Sequence, residues 1–141
     1  MDNCIFCKIV KGEIPAAKIY EDEYASAFLD ANPNNHGHTL VVPKTHAKNI
    51  LDVSEDTLAR MMPVVKKVSK AVFEGMGAAG LNITINNERP AGQVIFHLHI
   101  HIIPRFEGDG LKVWTRKMPY KNGEMEQVAE KIKNALSTLE K

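Results

Sequence analysis

Three histidines occupy every second position in His97-Leu98-His99-Ile100-His101-Ile102-Ile103, and no other stretch restricts the fold so tightly. Seven residues rich in β-branched and apolar types, followed by Pro104, read as a β-strand. Side chains alternate across a strand, so the three imidazoles point one way while Leu98, Ile100 and Ile102 point into the core. Imidazoles titrate near neutral pH and serve as bases, nucleophiles, phosphate partners or metal ligands. A histidine-rich face left in water accounts for one or two such residues, and poorly for three in register.

All six histidines of the 141-residue chain fall in two groups: His36, His38 and His46, then His97, His99 and His101. The 18 Lys and Arg nearly cancel the 17 Asp and Glu, which gives no reason to expect extended contact with nucleic acid. No apolar run is long enough to cross a bilayer, and the start Met1-Asp2-Asn3-Cys4 lacks the character of a secretion signal. A cytoplasmic protein with no membrane partner is the expectation. Reduced thiols follow, so Cys4 and Cys7 point to a metal or redox role rather than a disulfide.

The length suits one domain. Residues 18–22 and 24–29 read as a hairpin, the stretch 32–37 as a loop of turn formers, and 38–42 as a strand closed by Pro43. Ser54 caps a helix through about residue 74, its apolar face marked by Leu58, Met61, Val65, Val68 and Val72 and its course kinked by Pro63. Met61 and Met62 read as core filling. A strand over 81–86, the histidine strand, an irregular segment over 105–122 and an amphipathic helix with Met125, Val128, Ile132 and Leu136 complete the chain. The whole is an α+β fold: an antiparallel sheet of about five strands with one long internal helix and a C-terminal helix.

If the two histidine strands converge, they build one site. The backbone beside Gly92 can hold phosphate oxygens, Asn86 and Gln93 add neutral donors, and no acidic cluster offers to chelate magnesium. At this point several motifs align with one family. His97-Leu98-His99-Ile100-His101-Ile102-Ile103, with φ apolar, resembles the His-φ-His-φ-His-φ-φ signature of the histidine-triad (HIT) proteins. Cys4-Ile5-Phe6-Cys7-Lys8-Ile9 with Glu13-Ile14-Pro15 resembles the family's opening. Phe28-Leu29-Asp30 and the run from Gly37 to His46 resemble its middle, and Ala91-Gly92-Gln93 precedes the triad as in Hint-type members.

The resemblance implies a single domain over 1–141, its core at about 4–105 and a C-terminal extension over 106–141. It also implies an enzyme that attacks the α-phosphate of nucleoside monophosphate esters or phosphoramidates, typically of a purine nucleoside. His99 would be the nucleophile, through a nucleotidyl-histidine intermediate; His101 and His38 would neutralise charge and handle protons. Asn86, Gln93 and the Val94 backbone would contact phosphate, Asp30 would accept both ribose hydroxyls, and Phe6, Ile9 and Phe28 would line the base pocket. On the residues alone, those three read as ordinary core. Val94 departs from relatives that carry Ser or Thr there, which bears on leaving-group preference.

Two thiols and two histidines make a structural zinc site chemically reasonable. Similarity to the galactose-1-phosphate uridylyltransferases maps its ligands to Cys4, Cys7, His46 and His97; the alternatives are two reduced cysteines beside a satisfied histidine, or an adventitious metal. Hint-type relatives further imply a homodimer formed through the long helix and a sheet edge. Two other functions compete: a metal-dependent hydrolase with His97, His99 and His101 as ligands, and a nucleotide sensor without turnover.

Overall fold

A computed structural model describes residues 3–140. Five strands form one antiparallel sheet: β1 (Lys18–Glu21), β2 (Ala25–Leu29), β3 (Thr39–Pro43), β4 (Gly80–Ile85) and β5 (Ile100–Arg105), in the order β1-β2-β3-β5-β4. The helices are α1 (Ile5–Val10), α2 (Glu55–Gly75) and α3 (Glu124–Leu139), and a short 3-10 turn spans Arg89–Ala91. The α+β architecture agrees with the sequence reading. Two compact units divide the chain, one through Gly110 and one from Leu111 onward that carries α3.

The two-residue period assigns each face of the sheet. Ala25, Ala27, Val41, Ile100 and Ile102 pack on Met61, Val64, Val65, Val68 and Val72 of α2. The opposite face sets Phe28, Leu40 and Val42 under Phe6 and Ile9 of α1. Helix α2 begins where the Ser54 hydroxyl accepts the Thr57 N–H, with Glu55 and Asp56 in its first turn, and continues through Pro63. Met61 is fully buried, whereas Met62 is exposed and not core filling: the two sit about 100° apart around the helix, so only one can face the sheet.

The histidine strand differs from its expected limits. It runs Ile100–Arg105, so His97 and His99 precede it and Pro104 lies within it. Proline is tolerated because β5 outruns β3: pairing with β3 ends at Thr39↔Ile102, while pairing with β4 reaches Gly80↔Arg105. The Pro104 carbonyl accepts from the Asn35 amide instead. Before the strand, the chain is held by Leu98 N–H donating to the Ala47 carbonyl at 2.7 Å.

Candidate functional site

The three triad histidines serve three different environments. His97 is wholly buried; its Nε2–H donates to the Pro43 carbonyl at 2.9 Å. A carbonyl only accepts, so Nδ1 of His97 keeps a free lone pair. That atom lies 3.2 Å from Cys4 Sγ, 3.4 Å from Cys7 Sγ and 3.1 Å from Nδ1 of His46. The same logic fixes His99, whose Nδ1–H donates to the His97 carbonyl at 2.7 Å and leaves Nε2 with the lone pair.

A third backbone group sets the remaining pair. The Asn34 N–H donates to Nδ1 of His38 at 3.1 Å, so the His38 proton sits on Nε2. That Nε2–H donates to Nδ1 of His101 at 2.9 Å, and His101 must then carry its own proton on Nε2. The His101 Nε2 atom is buried and has no partner among the described residues. The pair thus delivers an N–H donor beside His99, whose ring centroid is 4.9 Å from that of His101. Burial lowers the proton affinity of His38 and His99. It pushes His101 down to about 4, aided by the nearby His99 and His38.

Asp30 lies at the same end, one carboxylate oxygen accepting from the Asn32 N–H at 2.8 Å and the other 3.6 Å from Nε2 of His38. Phe6, Ile9 and Phe28 are buried together, and Phe6 meets the His99 ring edge-on at 5.0 Å between centroids. Val94 is 83% exposed. Gly92 takes a φ of +93°, and a Cβ added there would come within 3.6 Å of the Asn86 amide nitrogen. Asn86 and the loop leading to Val94 are therefore close neighbours.

Gln93 does not present its amide to a ligand. Its Oε1 accepts from the Glu88 N–H at 2.8 Å and the Asn49 amide at 3.0 Å, while Nε2 donates to the carbonyls of Lys48 and Ile95. All four positions are filled, so Gln93 fixes the loop from inside. Asn49, buried at 1% exposure, also donates to the Glu88 carboxylate at 2.6 Å. Neither Asn49 nor Glu88 carries a sequence signal of this role. His36 stays apart, in a surface hollow with Pro33, Asn34, Asn35, Met76 and Phe106.

Among the described residues two groups of potential metal ligands form, Cys4-Cys7-His46-His97 and Asp30-His38-His101, the donor atoms of each within 4.8 Å of one another. The first fits a metal. Zinc sits about 2.3 Å from sulfur and 2.0–2.1 Å from nitrogen, so tetrahedral edges run roughly 3.3–3.8 Å; the observed separations need to widen by only a few tenths of an ångström. The bond of His97 Nε2–H to the Pro43 carbonyl leaves Nδ1 oriented into this group and able to hold a cation. Burial, and then the neighbouring Cys4, push the Cys7 thiol up to about 11, a crowding that a divalent cation relieves. The second group fits poorly, because Nδ1 of His38 already receives the Asn34 N–H and its Nε2 must hold a proton. His99 belongs to neither group among the described residues, so the triad does not converge on one metal.

Comparison with known proteins gives a consistent result. The sequence matches the HIT domain over residues 11–108. The adenosine 5'-monophosphoramidase hnt1 of Schizosaccharomyces pombe is 42% identical over 135 residues, covering 95% of this chain and 98% of that protein. A solved structure of a HIT family member from Bacillus subtilis matches with a TM-score of 0.88 at 41% identity, covering 94% of this chain and 96% of that one. A zinc-bound histidine triad family protein from Mycobacterium smegmatis matches with a TM-score of 0.75 at 40% identity, covering 99% and 96%.

Proposed function

This chain belongs to the HIT family, and from that membership we propose that it is a nucleotide-binding hydrolase or transferase acting at the α-phosphate of purine nucleoside monophosphate esters or phosphoramidates. One observation carries the reading: the His97 carbonyl holds Nδ1–H of His99, so a neutral, nucleophilic Nε2 stands ready beside the N–H donor of His101. Attack by Nε2 on the α-phosphorus forms an N–P bond as the bond to the leaving group breaks. The Nε2–H of His101 supports the departing atom or the phosphoryl oxygens, and His38 supports His101 from behind. The bound phosphate's negative charge favours an additional proton on this pair, which supplies the leaving group. Water then cleaves the N–P bond and releases the nucleoside monophosphate.

Asn86 and the Val94 N–H are the phosphate donors in this reading, with Gln93 holding their loop. Asp30 accepts the ribose hydroxyls, and the Phe6–Ile9–Phe28 cluster backs the base. Zinc at Cys4, Cys7, His46 and His97 acts structurally: when bound, it ties α1 to the segment that carries the nucleophile. Incubation with adenosine phosphoramidate tests the function directly, with AMP release as the expected result. Nucleotide binding without any product would favour the sensor reading. Turnover lost on chelation, with the fold and His99 intact, would favour a catalytic metal.

Asp30→Ala separates sugar recognition from structure. Losing two charge-assisted hydrogen bonds should weaken ribonucleotide binding by about 2–4 kcal/mol while leaving 2′-deoxy analogues nearly unchanged. Equal losses for both sugars would make Asp30 structural only.

The homodimer belongs to this proposal. Strand β4 is an edge of the sheet, and beside it Met62, Phe73 and Ile83 stand exposed around an apolar groove with Val65 and Leu81. Pairing of two such faces covers both the edge and the groove. Sedimentation at micromolar concentration should show a species of twice the chain mass; monomer alone would remove this part. Among the described residues, no helix is long and apolar enough to cross a membrane.

A further inference from the structure

Glu88 is the one described residue other than glycine with positive φ, at φ 75° and ψ 160°. That region is open almost solely to glycine, because a Cβ there crowds the neighbouring backbone. Such a conformation persists only where the surroundings over-determine it, and here the N–H, the carbonyl and one carboxylate oxygen of Glu88 are all tied. Its N–H donates to Oε1 of Gln93, and its carbonyl accepts from the N–H groups of Ala91 and Gln93. Its carboxylate accepts from Asn49 at 2.6 Å and pairs with Lys48 at 3.1 Å. The Asn49 bond, and then Lys48, hold the carboxyl below its usual range, so the clamp is anionic at neutral pH.

Position 88 lies in the first half of the loop from Asn86 to Val94, directly before the 3-10 turn. A turn of φ from positive to negative at this residue would redirect the chain before the 3-10 turn and carry Gly92 and Val94 away from Asn86. We propose that Glu88 is a positioning residue: its carboxylate, clamped to Asn49 and Lys48, forces the phosphate-holding loop into a conformation that its own backbone resists. The assignment rests on the reading of this loop as the phosphate contact. Glu88 need not touch the substrate.

Three proteins test it in the AMP-release assay with adenosine phosphoramidate: unsubstituted, Glu88→Ala and Glu88→Gly. Alanine removes the clamp and keeps the strain; KM should rise roughly tenfold or more, with kcat within about threefold. Glycine removes the clamp and the strain together, so KM should return to within about threefold of the unsubstituted value. Direct contact of the carboxylate with substrate would predict no rescue by a residue that lacks a side chain. Far-UV circular dichroism checks folding, and Glu88→Lys replaces the alanine variant if that one does not fold. Glycine as impaired as alanine, alanine indistinguishable from the unsubstituted protein, or a loss confined to kcat would each overturn the assignment. Absence of turnover in the unsubstituted protein is a different failure, which removes the functional reading on which the assignment stands.

Discussion

His99→Ala should abolish turnover and formation of the nucleotidyl-enzyme while leaving the fold and nucleotide binding near normal. The Nε2 atom that alanine deletes is the one whose lone pair the His97 carbonyl exposes. Without it the two-step route is closed, and activity should fall by roughly 10⁴-fold or more, equivalent to about 5 kcal/mol of barrier. Stability should change little in comparison. The His99 ring contributes one internal bond, to the His97 carbonyl, and ring contacts with Phe6 and His101. Rapid quenching with radiolabelled substrate, beside equilibrium nucleotide binding, distinguishes these effects. A trapped intermediate that persists in the variant would move the nucleophile elsewhere.

The second large effect is on folding. On the proposed zinc site, the unsubstituted chain should bind one zinc ion, and Cys7→Ala and His97→Ala should each bring that toward none and depress the melting temperature by roughly 10–20 °C. A metal held by the folded state alone contributes its binding free energy to folding, about 4 kcal/mol at a thousandfold excess over the dissociation constant. Acid should act in the same direction: a thiol pushed up to about 11 holds its proton tightly, so proton competition for Sγ grows as pH falls and the ion is released. Activity should suffer less than in His99→Ala. The carbonyl that holds His99 belongs to the backbone of residue 97 and survives its replacement by alanine. Elemental analysis beside calorimetry reads both quantities, and zinc retained in His97→Ala would reassign the ligands.

The sheet and the triad are legible in the sequence because alternation is a strong signal: Leu98, Ile100 and Ile102 do enter the core, opposite the imidazoles. Helix α2 announces itself through Ser54 and a long apolar period. Helix α1 has only six residues, too few for a period to register, and its cap is a cysteine sulfur accepting the Cys7 N–H rather than one of the usual oxygen caps. Pro104 misleads as a terminator because a strand can outrun one neighbour while it stays paired to the other. Gln93 has the residue type of a phosphate donor, and only three-dimensional contact reveals that its amide is saturated. Glu88 carries no mark at all, since no side chain advertises a glycine-like backbone.

Three backbone groups set the tautomers of the site: the carbonyl of Pro43 on His97, the carbonyl of His97 on His99 and the N–H of Asn34 on His38. The instructions for where each proton rests are therefore written in main-chain atoms, which side-chain identity does not change. A survey that exchanges side chains one at a time would pass over them. Asn34 would look permissive until proline, which alone removes its N–H, was tried. The tautomeric state of this site is inherited from the path of the chain, and side-chain drift at Pro43 or Asn34 can proceed far without altering it.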